Sequence, residues 1–379
     1  MSRVLIVCAV AAVFLLFPAV SSPATTYLVK PDGTGDRPNI QAAVDAASNG
    51  SVIELADGTY TGYGNRDISF QGKAITIRSV SGDPEACNLR VDGEESDPHR
   101  GFLFVSGEGA DSVLEGIGVR NGFAYEVLNG YGGAILISAG SSPTIENCLF
   151  RNCSATGGLG GGAGGAIRIS EGSTPSFESC VFESNGSYFG GAVHASAAGD
   201  LVFTDCLFLG NAAYQGGAIY AQGGMVTLLG CTFADNPSTG ATGVYLYGAD
   251  GSVSSCTFFE TGLGLSCPST PVIENTLVAF AGVACGGEEP EFTCCDLYSD
   301  VTEVWVPPFD DQCGVNGNLE EAPRFCSSDP TADRNWTVYD TSPCVAPQSD
   351  CGQIGRWGVG CHDTPSERGS WATVKALYR

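Results

Sequence analysis

One phrase decides the fold, and it returns between Tyr131 and Glu260. Gly-Gly-Ala-Ile at 132–135 recurs at 164–167, as Gly-Gly-Ala-Val at 190–193, and as Gly-Gly-Ala-Ile at 216–219. A worn fifth copy, Thr-Gly-Val-Tyr, is read at 242–245, so the starts lie 32, 26, 26 and 26 residues apart. A second phrase, Cys-x-Phe, keeps the same beat at Cys148/Phe150, Cys180/Phe182, Cys206/Phe208, Cys231/Phe233 and Cys256/Phe258. An Asn follows the Phe in four copies: Asn152, Asn185, Asn211 and Asn236. Self-similarity at this period marks a stacked repeat architecture.

Each unit holds apolar runs too short for helices. In the copy at 216–236 they are Ala218–Ala221, Met225–Leu228 and Cys231–Phe233, each bounded by Gly, Asn or polar residues. Such runs read as strands separated by turns. Three short strands in about 25 residues cannot enclose a core alone, but they can form one rung of a coil whose copies stack about 4.8 Å apart. Ile, Cys and Phe then point inward over their own copies, and the Gly pair lets the backbone turn and pack closely. The Asn is expected at a corner, in a left-handed conformation. The fold class is therefore all-β, a right-handed parallel β-helix solenoid.

Gly-Gly-Ala-Ile followed by Phe-x-x-Asn (Phe182 to Asn185, Phe208 to Asn211, Phe233 to Asn236) resembles the repeat of the polymorphic outer-membrane proteins of bacteria, within the pectin- and pectate-lyase-like architecture. The first copy departs from it, with Phe150-Arg151-Asn152 one residue short, and the fifth has no Asn. The resemblance implies a protein exported to the surface or envelope of a Gram-negative-type bacterium. The chain shows no C-terminal series of barrel strands of the kind those proteins carry.

Residues 1–24 read as a cleaved secretory signal: Arg3, an apolar run from Val4 to Val20, then small residues at Ala19-Val20-Ser21. No other run is long enough to span a bilayer, so no transmembrane segment is expected in the mature chain. Pro38 opens a helix with Ile40, Ala43, Val44 and Ala47 on one face, which would cap the first rung within residues 26–60. The β-helix is expected over 25–284, with its regular repeats at 131–260. A cysteine-rich closing region follows at 285–362, and a linker with a short basic tail at 363–379. The tail is read either as a sorting signal or as a helix packed on the body. The chain is expected to act as a monomer. Its net charge of −25, from 17 Lys plus Arg against 42 Asp plus Glu, argues against nucleic acid and anionic membrane surfaces as partners, and reads either as acidity that keeps an extracellular protein soluble or as carboxylates that collect calcium.

Cysteine usage divides in two. Five Cys form the in-phase ladder and are expected to be unpaired, as small core hydrophobes. The eight from Cys285 onward (285, 294, 295, 313, 326, 344, 351, 361) lie in an exported, loop-rich region and are expected to be mostly disulfide-bonded. Cys294 and Cys295 are adjacent and no Cys-x-x-Cys occurs there, so zinc is not read from them.

Stacking turns phase into surface columns. The residue after each Gly-Gly-Ala-Ile/Val faces outward, giving Leu136, Arg168, His194, Tyr220 and Leu246. Arg168, His194 and Tyr220 on successive rungs are suited to an acidic sugar, with His or Tyr as the proton carrier if the chain is an enzyme. The alternative is a solvated mixed face. A second column, Glu115, Glu146 and Glu178, reads as splayed carboxylates, as calcium ligands, or as partners of Arg120 and Arg151. Calcium is the one cofactor the sequence suggests. The corners before each Gly-Gly are expected to raise an aromatic ridge of Phe123, Tyr125, Tyr131, Tyr188, Phe189 and Tyr214, for sugar rings, for a protein partner, or as loop packing.

Catalytic comparison is negative. Asp310-Asp311 is the single Asp-Asp, it lies outside the regular coils, and no set of Asp residues recurs on one face. Fold alone supplies no activity. Two functions are carried forward. One is a non-catalytic, adhesin-like or glycan-binding protein at or outside the cell surface. The other is a lyase or hydrolase acting on acidic polysaccharide through Arg168, His194 and Tyr220.

Overall fold

The computed structural model of the chain describes residues 24–126, 131–157, 161–300 and 304–362. The expected export signal, except Ala24, and the C-terminal tail from residue 363 lie outside them. The described residues form a right-handed parallel β-helix. Each coil gives one strand to each of three parallel sheets, which hold 11, 10 and 9 strands. In the central coils the first sheet takes Thr144–Glu146, Ser176–Glu178, Leu201–Thr204 and Met225–Leu229. The second takes Leu149–Arg151, Val181–Glu183, Leu207–Leu209 and Thr232–Ala234. The third takes Ile135–Ile137, Ile167–Ser170, Val193–Ser196 and Ile219–Gln222.

Like stacks on like. Ile135, Ile167, Val193, Ile219 and Val244 are register partners in turn and are all fully buried. The phenylalanines of the second phrase form one stack, with centroids 5.1, 4.6, 4.8 and 4.7 Å apart from Phe150 through Phe258. The two glycines of the repeat have separate reasons. Gly190 sits at φ +62, where a Cβ would lie 2.0 Å from the Val193 carbonyl oxygen. A Cβ on Gly191 would lie 2.1 Å from the Gly217 oxygen of the next rung.

Asn152 is left-handed at its corner, at φ 55, as expected, but the other three repeat asparagines occupy a different place. The left-handed residue at that corner is the one before each Asn: Ser184, Gly210 and Asp235, at φ 56, 63 and 50. Asn185, Asn211 and Asn236 themselves are buried and form a ladder. Asn185 donates Nδ2 to Asn211 Oδ1 at 2.9 Å and to the Phe150 carbonyl at 2.9 Å, and Asn211 repeats this toward Asn236 and Phe182. Thr261 ends the file by accepting from the Asn236 backbone N–H. In the first copy it is Cys153, not Asn152, that holds the ladder position, donating its N–H to Asn185 Oδ1. The first copy therefore has no missing residue. It has a different side chain in the file.

The helix Ile40–Ala46 caps the first coil, with Asn39 accepting from the Ala42 N–H and with Ile40, Ala43 and Val44 buried. At the other end the coil runs on through Glu291–Thr293 and Asp296–Tyr298, beyond the expected limit at 284. There Trp305 and Phe309 pack on Phe292 over the end of the core. The chain does not stop at closing that end. Residues 325–361 return along the outer face of the second sheet, laying Phe325, Trp336, Val338, Val345 and Ile354 on Leu209, Ala234, Phe259, Leu277 and Ala279.

Two disulfides form among the described residues, Cys294–Cys351 and Cys326–Cys361. Half of the eight C-terminal cysteines are therefore bonded, not most. The reason is positional. Cys295 belongs to the core file, with its Sγ toward the Ile273 carbonyl as each ladder Cys faces the rung before, and Cys344 is buried under the returning segment. Cys285 and Cys313 also remain free.

Candidate functional site

The third sheet turns its outward residues into the file Leu136, Arg168, His194, Tyr220 and Tyr245. The fifth member is Tyr245, not Leu246, because the last repeat is 25 residues long and the worn copy begins at Ala241. A one-residue slip exchanges the faces of a strand, and Leu246 is in the core.

This outward file is covered. Arg168, His194 and Tyr220 keep only 9, 7 and 8% of their surface. The cover is the aromatic ridge, so two features that read separately in sequence are one site. Tyr131 and Phe189 share the column before the glycines, with Ala163 between them. The Tyr131 ring lies under the Arg168 guanidinium, 4.9 Å from it. Phe189 leans on His194 and Tyr220, with centroids at 6.0 and 5.3 Å. His194 and Tyr220 stack at 5.1 Å, Tyr220 meets Tyr245 edge-on at 5.7 Å, and Tyr245 continues to Tyr247 at 6.0 Å. Tyr188 and Tyr214 stack above at 4.8 Å, and Tyr214 lies so close over Gly240 that a Cβ there would be 2.5 Å from the ring.

The ring faces are thus largely spent on one another. Solvent is offered Tyr188, Tyr214 and Tyr247, which are 39, 43 and 45% exposed. Ser170, Ser196 and Gln222 form the neighbouring outward file of the same strands. Phe123 and Tyr125 stand apart. They lie in a short parallel pair with Ser154–Gly157, and among the described residues neither ring stacks on the ridge.

Electrostatically the site is a cation among rings. Arg168 Nη1, which can only donate, meets His194 Nδ1. Burial pulls the Arg168 guanidinium below its ordinary value, and burial pushes the Tyr220 phenol above its own. No carboxylate among the described residues pairs with any of the three.

The Glu115, Glu146 and Glu178 column exists in register on the first sheet. Burial raises the Glu146 carboxyl, with Glu178 and Glu115 adding to it. Arg120 and Arg151 do not serve this column. They lie on the second sheet, bonded to Glu85, with Arg151 also bonded to Glu183. The cation in the glutamate file is Arg78, register partner of Glu115 and paired with Glu54 at 2.8 Å. Among the described residues no three His, Cys, Asp or Glu side chains converge to hold a metal ion. A shallow cleft of about 470 Å³ lies where the returning segment crosses Asp205, Ser255 and Asn275, and none of the sequence-predicted residues lines it.

The sequence pattern described as "Right handed beta helix region" matches residues 113–258. Among curated proteins none matches the chain. Solved structures resemble it, two of which follow. One is ORF18 of Geobacillus virus E2, at 13% identity and TM-score 0.34 over 71% of this chain and 59% of that one. The other is the PL6 family alginate lyase AlyGC, at 11% identity and TM-score 0.35 over 87% of this chain and 58% of that one. The chain spans just under six tenths of the length of either. No helix among the described residues is long and apolar enough to cross a membrane.

Proposed function

We propose that the protein is an exported, monomeric β-helix that binds an extended glycan along the outer face of its third sheet, at or outside the cell surface, without turning it over. One observation carries the reading: hydroxyl-bearing side chains stand in files along rigid parallel strands, Tyr188 and Tyr214 above, Tyr220, Tyr245 and Tyr247 alongside. Rungs repeat at about 4.8 Å, so a polymer lying along the axis would meet hydroxyl groups at each step. Aromatic bodies with polar tips suit such partly wet contacts.

Turnover is disfavoured by the chemistry of the same residues. General acid–base work needs a group whose proton moves near the working pH. Arg168 holds its charge, His194 spends Nδ1 on Arg168, and the Tyr220 phenol is pushed away from neutrality. The test is a panel of uronic-acid and neutral polysaccharides with the mature protein. Retention without new reducing or unsaturated ends is expected, weakened by Tyr188→Ala, Tyr214→Ala or Tyr247→Ala. Release of ends that His194→Ala abolishes would replace this reading with the lyase or hydrolase.

A further inference from the structure

We infer that Arg168 is the seat for an anionic group of the bound polymer, a ring carboxylate or a sulfate ester. This rests on the glycan-binding reading and names the ligand's chemistry. The reasoning begins with what the guanidinium lacks. Arg66, Arg78, Arg90, Arg120, Arg151 and Arg334 each meet a carboxylate. Arg356, which does not, is satisfied by the carbonyls of Asp205 and Cys206 at 3.0 Å. Arg168 has neither kind of partner among the described residues. It is nine-tenths buried, and its contacts are the His194 imidazole and the Tyr131 ring face.

Burying a cation without a counter-charge is costly unless something pairs with it. The omission is not for want of acids, since the chain holds 42 Asp and Glu. Arg168 keeps 9% of its surface, so the side chain is covered but not sealed. A planar fork with free N–H groups beside hydroxyl-tipped rings is built for a two-oxygen anion. The geometry also sets polarity along the axis. The charged subsite lies at the Arg168 end, and the uncharged ones follow through Tyr220 and Tyr245.

The experiment uses the full mature chain with polygalacturonate, its carboxyl-reduced form, a sulfated galactan and its desulfated form. Wild type is expected to bind the charged polymers at least tenfold more tightly than their neutral counterparts, with affinity falling as salt rises. Arg168→Gln should lose that preference and keep the neutral binding. The carboxylate and sulfate arms tell the two sources apart. A second readout is free of the polymer: galacturonate, against galactose at equal ionic strength, should raise the Tm of wild type and not of Arg168→Gln. Arg168→Met, which removes an unpaired buried cation, should itself raise the Tm by about 2–4 °C and confirm that the fold survives. Unchanged preference in Arg168→Gln would overturn the anion seat and leave the glycan reading intact. No polymer binding, with the galacturonate response intact, would overturn the glycan reading and leave the seat. Loss of both in wild type would overturn both.

Discussion

Arg334 places its Nη2 2.6 Å from Glu183 Oε1, across 151 residues of chain. Glu183 lies on the second sheet, and its other oxygen accepts from Arg151, which continues to Glu85. The returning C-terminal segment is thus tied by charge to the middle of the coil. It is also tied by apolar contact, by the Cys294–Cys351 bond, and by Trp357 Nε1 donating to Thr232 at 2.8 Å. Glu183→Gln is expected to cost about 1 kcal/mol, since Arg334 is part-exposed and solvent screens the pair. Hydrogen exchange should speed up across residues 325–361 and stay unchanged in the central strands. Unchanged exchange in that segment would mean the apolar contacts alone hold it.

Thiol accessibility follows from the files. Among the described residues, ten of the twelve free cysteines are buried, Cys285 is half-buried and Cys313 is exposed. Burial pushes the Cys153 and Cys295 thiols up to about 12, and only the thiolate reacts readily. Native protein treated with iodoacetamide should be modified at Cys313, slowly at Cys285, and not in the ladder. Denaturation without reductant should expose all twelve of these thiols to mass spectrometry. Rapid native labelling of Cys206 would contradict the stacked core.

The asparagine file predicts a cost unlike that of an apolar core. Asn211 accepts from both the backbone N–H and Nδ2 of Asn185, at 3.1 and 2.9 Å. Asn211→Leu strands those donors in a site with no solvent. The expected loss is about 2–4 kcal/mol, from unsatisfied buried groups at about 1–3 kcal/mol each. Chemical denaturation measures it. A loss below about 1 kcal/mol would show that water replaces the amide.

How much of this is legible depends on period. Where 26 residues separate copies, phase gives the core file of Ile167, Val193 and Ile219 and the outward file of Arg168, His194 and Tyr220 directly. Where the spacing slips to 25, phase fails by one residue and selects the buried Leu246 in place of Tyr245. The pattern cannot show that Tyr131 and Phe189 lean over the outward file, since that depends on side-chain direction at a corner. Nor can it show the C-terminal segment lying along the second sheet. One signal for that contact is present: outward Leu209, Ala234 and Phe259 are apolar where a solvated face would be polar.

Asp296 makes that contact sensitive to pH. It is fully buried beneath the segment, where it accepts from the Glu321 N–H at 3.0 Å and faces the Cys344 thiol at 3.1 Å. Burial pushes its carboxyl up to about 6, and the nearby Glu321 and Glu320 add to the rise. The folded protein therefore holds a proton between about pH 4 and 6 that the unfolded chain has released. Stability from this group is present at the acid end of that window and is lost as pH rises through 6. The amount is about 3 kcal/mol, since each tenfold change in proton affinity is worth about 1.4 kcal/mol. Asp296→Asn, which keeps an acceptor for Glu321 without a charge, should raise the Tm at pH 7 and leave it nearly unchanged at pH 4. The difference between variant and wild type, measured across pH 4–7, isolates this group from the other carboxylates. A constant difference over that range would show that Asp296 titrates as an ordinary exposed acid and that the segment does not bury it.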